Sequence, residues 1–130
     1  MADYHARIRS NYFHVKDAKR FEAWIANHSY GEIETFADDK DGTVGFLGYC
    51  SVPTHNDEGE ELDFWGELAA HLVEGEIGIV FEIASEKLRY LVGRATAVCH
   101  TGETTDIDLN EIYQQAQDEF LGCNPIQEAW

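Results

Sequence analysis

The segment "HNDEGEELDFWGEL", residues 55–68, holds six carboxylates (Asp57, Glu58, Glu60, Glu61, Asp63 and Glu67) and no basic side chain. Carboxylates gathered in this way support three chemistries. They chelate a hard cation, divide into a general acid and a general base, or imitate the charge of a phosphate backbone; the plain alternative is a solvated loop with no function of its own. Each makes its own demand on spacing and surroundings.

Calcium chelation in an EF-hand loop needs oxygens at alternate positions, a central glycine and a glutamate at position twelve. The stretch "DDKDGTVGFLGY", residues 38–49, opens in that style. It then puts Lys40 where the third-position ligand belongs and Tyr49 at position twelve. His55, Asp57, Glu58 and Glu60 would hold a cation only weakly at a surface. Cys50, Cys99 and Cys123 are odd in number, far apart and without a CxxC pair, so the local spacing of a zinc site is missing. The sequence predicts no metal, no cofactor and reduced thiols inside a cell.

Acid–base catalysis needs two carboxyls in unlike environments within a cleft. The acids here fall in a polar loop and a helix start. Cys99 and His100 are neighbours, but on a strand they point to opposite faces, and Cys99 reads as a small buried residue. There is no phosphate-binding glycine loop and no G-x-S-x-G elbow. No catalytic residue is expected.

The third chemistry draws support from the whole chain. The 130 residues carry 25 acids and 9 bases, a net charge of −16. The charge is segregated: residues 1–20 are net +3, residues 31–82 hold fourteen acids and one base for a net −13, and residues 95–130 are net −7. Such a field repels nucleic acid and attracts a basic partner. Halophilic proteins are also acidic and lysine-poor, but spread their acids over the whole chain, whereas this N-terminus is basic.

The elements that position these acids follow from pattern. Residues 7–15 read as a strand, with Ile8, Tyr12 and Phe13 as core candidates. Asp17 caps a helix over residues 18–28, with Phe21, Trp24, Ile25 and His28 on one stripe. Strands over 32–36 and 43–49 flank a turn at "DDKDG", where Gly42 permits positive φ. Residues 51–59 form a polar connection. Asp63 caps a helix over 64–73, with Trp65, Leu68, Ala69 and Leu72 on its core face.

Residues 76–83 alternate Ile77, Ile79, Phe81 and Ile83 on one side of a strand. "ASE" then turns into a long strand over 87–100, with a bulge expected at Gly93. A short strand over 104–107 leads to a third helix. Asp108 and Glu111 open it in the manner of a capping box, Ile112, Tyr113, Ala116 and Phe120 face inward, and Gly122 ends it. The reading is one α+β domain over 1–130, with 1–122 as its body and 123–130 as a tail. The order is β-α-β-β-α-β-β-(β)-α. Helices pack on one face of an antiparallel sheet, and the first six elements are ferredoxin-like. The apolar runs are short and the N-terminus is polar, so neither a membrane span nor a secretory signal is expected.

Acids on adjacent strands and helices can approach the charge density of one phosphate strand. The residues assigned to that surface are Glu32, Glu34, Asp38, Asp39, Asp41, Asp57, Glu58, Glu60, Glu61, Asp63, Glu67, Glu74 and Glu76. Trp65 is a core candidate that could instead anchor a partner, with Phe64 as the alternative.

Two segments, "RSNYFHVKDAKRFEAWI" and "EKLRYLVGRATAV", resemble small acidic proteins of phages and mobile elements. By size and charge the chain is similar to anti-CRISPR and anti-restriction inhibitors as a class. That resemblance implies a host-cell cytoplasmic protein that occupies the DNA-binding surface of a defence complex, and it assigns no residue. The leading expectation is a non-enzymatic anti-CRISPR DNA mimic that blocks target-DNA binding and binds no nucleic acid itself. An immunity protein or antitoxin against a basic nuclease toxin is second, and a small metal-dependent enzyme third. A monomer and a homodimer both remain open, since the N-terminal bases can pair with acids of another copy.

Overall fold

A computed structural model describes residues 4–27, 32–55, 58–86 and 90–125. Nine elements follow in chain order: β1 (Tyr4–Ser10), α1 (Ala18–Asn27), β2 (Ile33–Asp38), β3 (Thr43–Gly48), α2 (Phe64–His71), β4 (Ile77–Glu86), β5 (Tyr90–Cys99), β6 (Thr104–Asp108) and α3 (Glu111–Glu119). The protein is α+β, and its single antiparallel sheet has the order β2-β3-β1-β4-β5-β6. The first six elements form the split β-α-β arrangement, with β3 paired between β2 and β1. β5 and β6 then widen the sheet beyond β4.

The core lies between one sheet face and the first two helices. α1 contributes Phe21, Trp24 and Ile25, and α2 contributes Phe64, Leu68 and Ala69. They meet Ile8, Ile33, Val44, Phe46, Val80 and Val98 from the strands. Phe21, Phe46 and Leu68 are fully buried, and each such side chain stabilises the fold by about 1.5–3 kcal/mol through area removed from water. The rings of Phe21, Trp24, Phe46 and Phe64 pack at centroid distances of 5.1–6.4 Å.

Several expectations shift. β1 ends at Ser10 rather than running to residue 15. Ser10 is buried and its Oγ accepts the Phe46 N–H at 2.9 Å, so the first strand closes on a side-chain bond. Phe13 and Val15 make isolated bridges to Val44 and Leu72, and Tyr12 stays half exposed against the edge of Phe36. Trp65 is partly buried against the core and edge-on to Phe64, while Phe64 takes the deep position. The residues "ASE" belong to β4, where Ala84, Ser85 and Glu86 pair with Val92, Leu91 and Tyr90. The connection at 87–89, like His28, lies outside the described residues.

Gly93 is no bulge, for the β4–β5 register runs unbroken from Ile77↔Cys99 to Glu86↔Tyr90. Its missing side chain makes room for Leu109, which a Cβ would strike. α3 was expected to bury Ile112, Tyr113, Ala116 and Phe120, but none of its residues is buried. The N-cap is Asn110, without a side-chain cap bond, so Asp108 does not open a capping box, although the Glu111 carboxylate accepts the Asp108 N–H at 2.7 Å. The helix ends at Glu119 with Phe120 as its C-cap, ahead of Gly122.

The largest correction concerns β4. Ile77, Phe81 and Ile83 are 51%, 54% and 65% exposed, while Gly78, Val80 and Ala84 face the helices. Helices need a close approach to the sheet, so the small side chains lie beneath them. The bulky alternation lies on the face that no described element covers.

Candidate functional site

The sheet sorts the thirteen assigned acids into separate groups. The β2–β3 turn carries Asp38, Asp39 and Asp41, at the end of the sheet where β4 begins after Glu74 and Glu76. His14 joins the two: its Nδ1 lies 2.8 Å from Glu76 Oε1, and its Nε2 lies 3.0 Å from the Asp41 carbonyl. These contacts raise the His14 pKa above its ordinary value, the Glu76 hydrogen bond most of all. The His14 backbone and side-chain donors lower that of Glu76 in return.

A second group, Glu58, Glu60, Glu61, Asp63 and Glu67, belongs to the connection and the start of α2 on the helical side. A bond from the Leu62 N–H to the Thr54 carbonyl at 2.8 Å and a bridge between His55 and Glu61 close this connection on itself. Asp57 lies outside the described residues. Glu32 and Glu34 form the third group, at the start of the outer strand β2, away from the Asp38–Asp41 turn. The acids therefore do not form one continuous face.

Some acids have structural tasks. Asp63 accepts the Gly66 N–H as the N-cap of α2, and Glu67 accepts the Trp24 indole N–H at 2.9 Å. Asp38 accepts the Lys40 N–H at 3.0 Å and so shapes its turn. Among the described residues no basic side chain pairs with Glu32, Glu34, Asp39, Glu61 or Glu74, all of which are exposed. Also among them, no group of three or more His, Cys, Asp or Glu is placed to hold a metal ion.

One cleft of about 390 Å³ lies beside the start of α2, with Thr54, Asp63, Trp65, Glu82, Arg94 and Thr96 among its walls. Its charged groups are engaged. Glu82 accepts the Val52 N–H at 3.0 Å, Asp63 caps α2, and Arg94 lies 3.7 and 3.6 Å from Asp106 and Asp108. The bond from Val52 to Glu82 fastens the connection to the sheet.

Cys50, Cys99 and Cys123 are free thiols. Burial pushes Cys50 up to about 11, with Glu32 and Glu82 adding to the effect, so it stays protonated at neutral pH. Cys99 is half-buried at the end of β5 rather than in the core. Its Sγ lies 2.8 Å from Thr101 Oγ1, which lowers its pKa.

Sequence reasoning missed the open sheet face. Arg7 and Arg9 lie on it, with their guanidinium carbons 5.4 Å from the Tyr49 ring centre and 4.7 Å from that of Phe36. Beside them the face is apolar. Its signal was present in β4, where Gly78, Val80 and Ala84 of the alternate set are also apolar but small, with Glu82 among them. No helix among the described residues is long and apolar enough to cross a membrane. Comparison with family models, curated proteins and solved structures gives no match to this chain.

Proposed function

We propose that this protein is a non-enzymatic acidic inhibitor that occupies the basic nucleic-acid-binding surface of another protein. In its most concrete form it is an anti-CRISPR DNA mimic that keeps a CRISPR effector from its target DNA. The observation that supports this reading is the set of exposed carboxylates without described basic partners, spread over a sheet end, the outer strand β2 and the helical side. Solubility alone is served by far less charge, and mutual repulsion of the acids opposes folding. A basic groove relieves that repulsion.

Recognition of this kind is patchwise. The Asp38–Asp41 turn with Glu74 supplies one cluster of negative charge, and Glu61 marks another in the connection before α2. A DNA-binding groove follows two phosphate strands, so separated clusters fit it as well as one continuous ridge.

Capture from host lysate at low salt tests the reading. The expected result is a stoichiometric complex with a basic DNA-binding protein, released by high salt and competed by duplex DNA. Reversing charge together at Asp57, Glu58, Glu60 and Glu61 should weaken that complex by at least about tenfold, as each lost charge pair slows association and speeds release. Unchanged binding removes this patch from the interface. Capture of a nuclease whose catalysis is blocked while it still holds DNA would favour a nuclease-neutralising immunity protein instead.

A further inference from the structure

The open face of the sheet bears a trough. Its floor is the small side of β5, where Gly93 and Ala95 stand between Phe81 and Ile83 of β4 and Ile107 of β6, with Leu109 just beyond. A neighbouring hollow of about 260 Å³ runs over Arg7, Arg9, Leu47 and Tyr49 and shares Phe81 and Ile83 as a wall. The two make one surface across β3, β1, β4, β5 and β6.

Tyr49, Phe81, Ile83, Leu91, Ile107 and Leu109 on this surface are each 54–69% exposed. At roughly 100 Å² apiece, these six leave on the order of 600 Å² in water, the upper end of the largest patch on a typical monomer. The half-exposed Ile77 and the stems of Arg7 and Arg9 bring the total toward the ~800 Å² that each partner buries in a standard interface.

Exposed apolar side chains also stand on α3, where Tyr113 and Ala116 are half-buried, and at its C-cap. α3 is amphipathic, yet none of its residues is buried, and Ile112 and Phe120 are 58% and 62% exposed. Its sequence "EIYQQAQDE" has three acids and no base. The trough surface carries Arg7 and Arg9. A hollow with arginines and an amphipathic helix with carboxylates are complementary, and a two-fold axis supplies each to the other.

We propose that the open sheet face is the interface of a homodimer, occupied by the same face of a second copy with its α3. An axis parallel to the strands and passing over β4 and β5 lays β6 of one copy above β1 of the other. The segment that follows β6 then lies toward β3, with the acids of α3 near Arg7 and Arg9. The result is a pair of stacked sheets about 10 Å apart, with helices α1 and α2 outside on both copies. The carboxylates of the helical side stay outward, so this pairing goes beyond the inhibitor reading and stands or falls separately.

Sedimentation and light scattering on the full chain test it. The expected mass is twice 14.7 kDa. Phe81→Glu and, separately, Ile107→Glu should raise the dissociation constant by at least about tenfold while far-UV dichroism stays unchanged. Two sites on different strands keep the test sound if one variant misfolds. Glu61→Lys, on the helical side, should leave the dimer intact. A wild-type monomer at high protein concentration overturns the proposal. A paramagnetic co-solvent then tells whether its own α3 has folded over Phe81 or the face awaits another partner. A dimer that survives both glutamate variants also overturns it.

Discussion

His14 holds together the acidic end of the sheet. Its raised pKa means the folded state binds the imidazole proton more tightly than the unfolded chain does. Stability from this group is therefore fully present below the ordinary histidine value of 6.5 and lost as pH rises through the higher folded value. The Glu76 pKa is lowered, so its share is present above the ordinary 4.5 and lost as pH falls through the lower folded value. The pair thus acts mainly between those limits. His14→Gln should flatten the fall in Tm between mildly acidic and mildly alkaline buffer, read by calorimetry. An unchanged fall would assign the effect to another group. His71 does the reverse: burial beside Trp24 and Phe21 lowers its pKa, so acid costs stability as the buried ring is charged.

At the element scale, the starts of helices α1 and α2 are set by side chains that sequence makes visible. Asp17 accepts the N–H groups of Lys19 and Arg20 at 3.0 and 3.2 Å. Asp17→Ala should cost about 1 kcal/mol in chemical denaturation, the usual effect of losing a helix cap. The same pattern made strand number, order and the two core helices legible, because Phe21, Trp24, Leu68 and Ala69 repeat at helical spacing. Facing was not legible in β4. A period of two names two sides without saying which one meets the helices, and the bulkier set, Ile77 to Ile83, drew the inward assignment. Packing reversed it, since Gly78, Val80 and Ala84 admit α2 and α1. α3 misled in the same way: a correct amphipathic stripe does not say which molecule covers it. The acids were legible as residues but not as a surface. Only the strand order shows that the Asp38–Asp41 turn and Glu74 share one end of the sheet while Glu32 stands at the other.

For the whole molecule, a net charge of −16 on 130 residues makes self-repulsion a standing cost. Added monovalent salt screens it over roughly 10 Å at about 0.1 M. Tm should therefore rise with salt over the same range in which a basic partner is released. Scanning calorimetry and a binding titration in matched buffers check this. A Tm that falls with salt would mean that favourable pairs such as Arg94 with Asp106 and Asp108 outweigh the repulsion. Opposite responses of stability and binding would follow from one charge distribution, eased by either ions or a partner.

The outer strands of the sheet also decide what kind of assembly is open to the protein. β2 carries Glu34 and Asp38 on one rim, and β6 carries Asp106 and Asp108 on the other. A further strand adding to either rim would bring its own copy of these charges alongside. Growth by edge addition is thereby discouraged, while the broad apolar face between the rims is left bare. A pair joined across that face covers both bare surfaces at once and presents no third. The rim carboxylates thus separate a closed pair from an open-ended fibre, a role that needs neither a cleft nor a ligand.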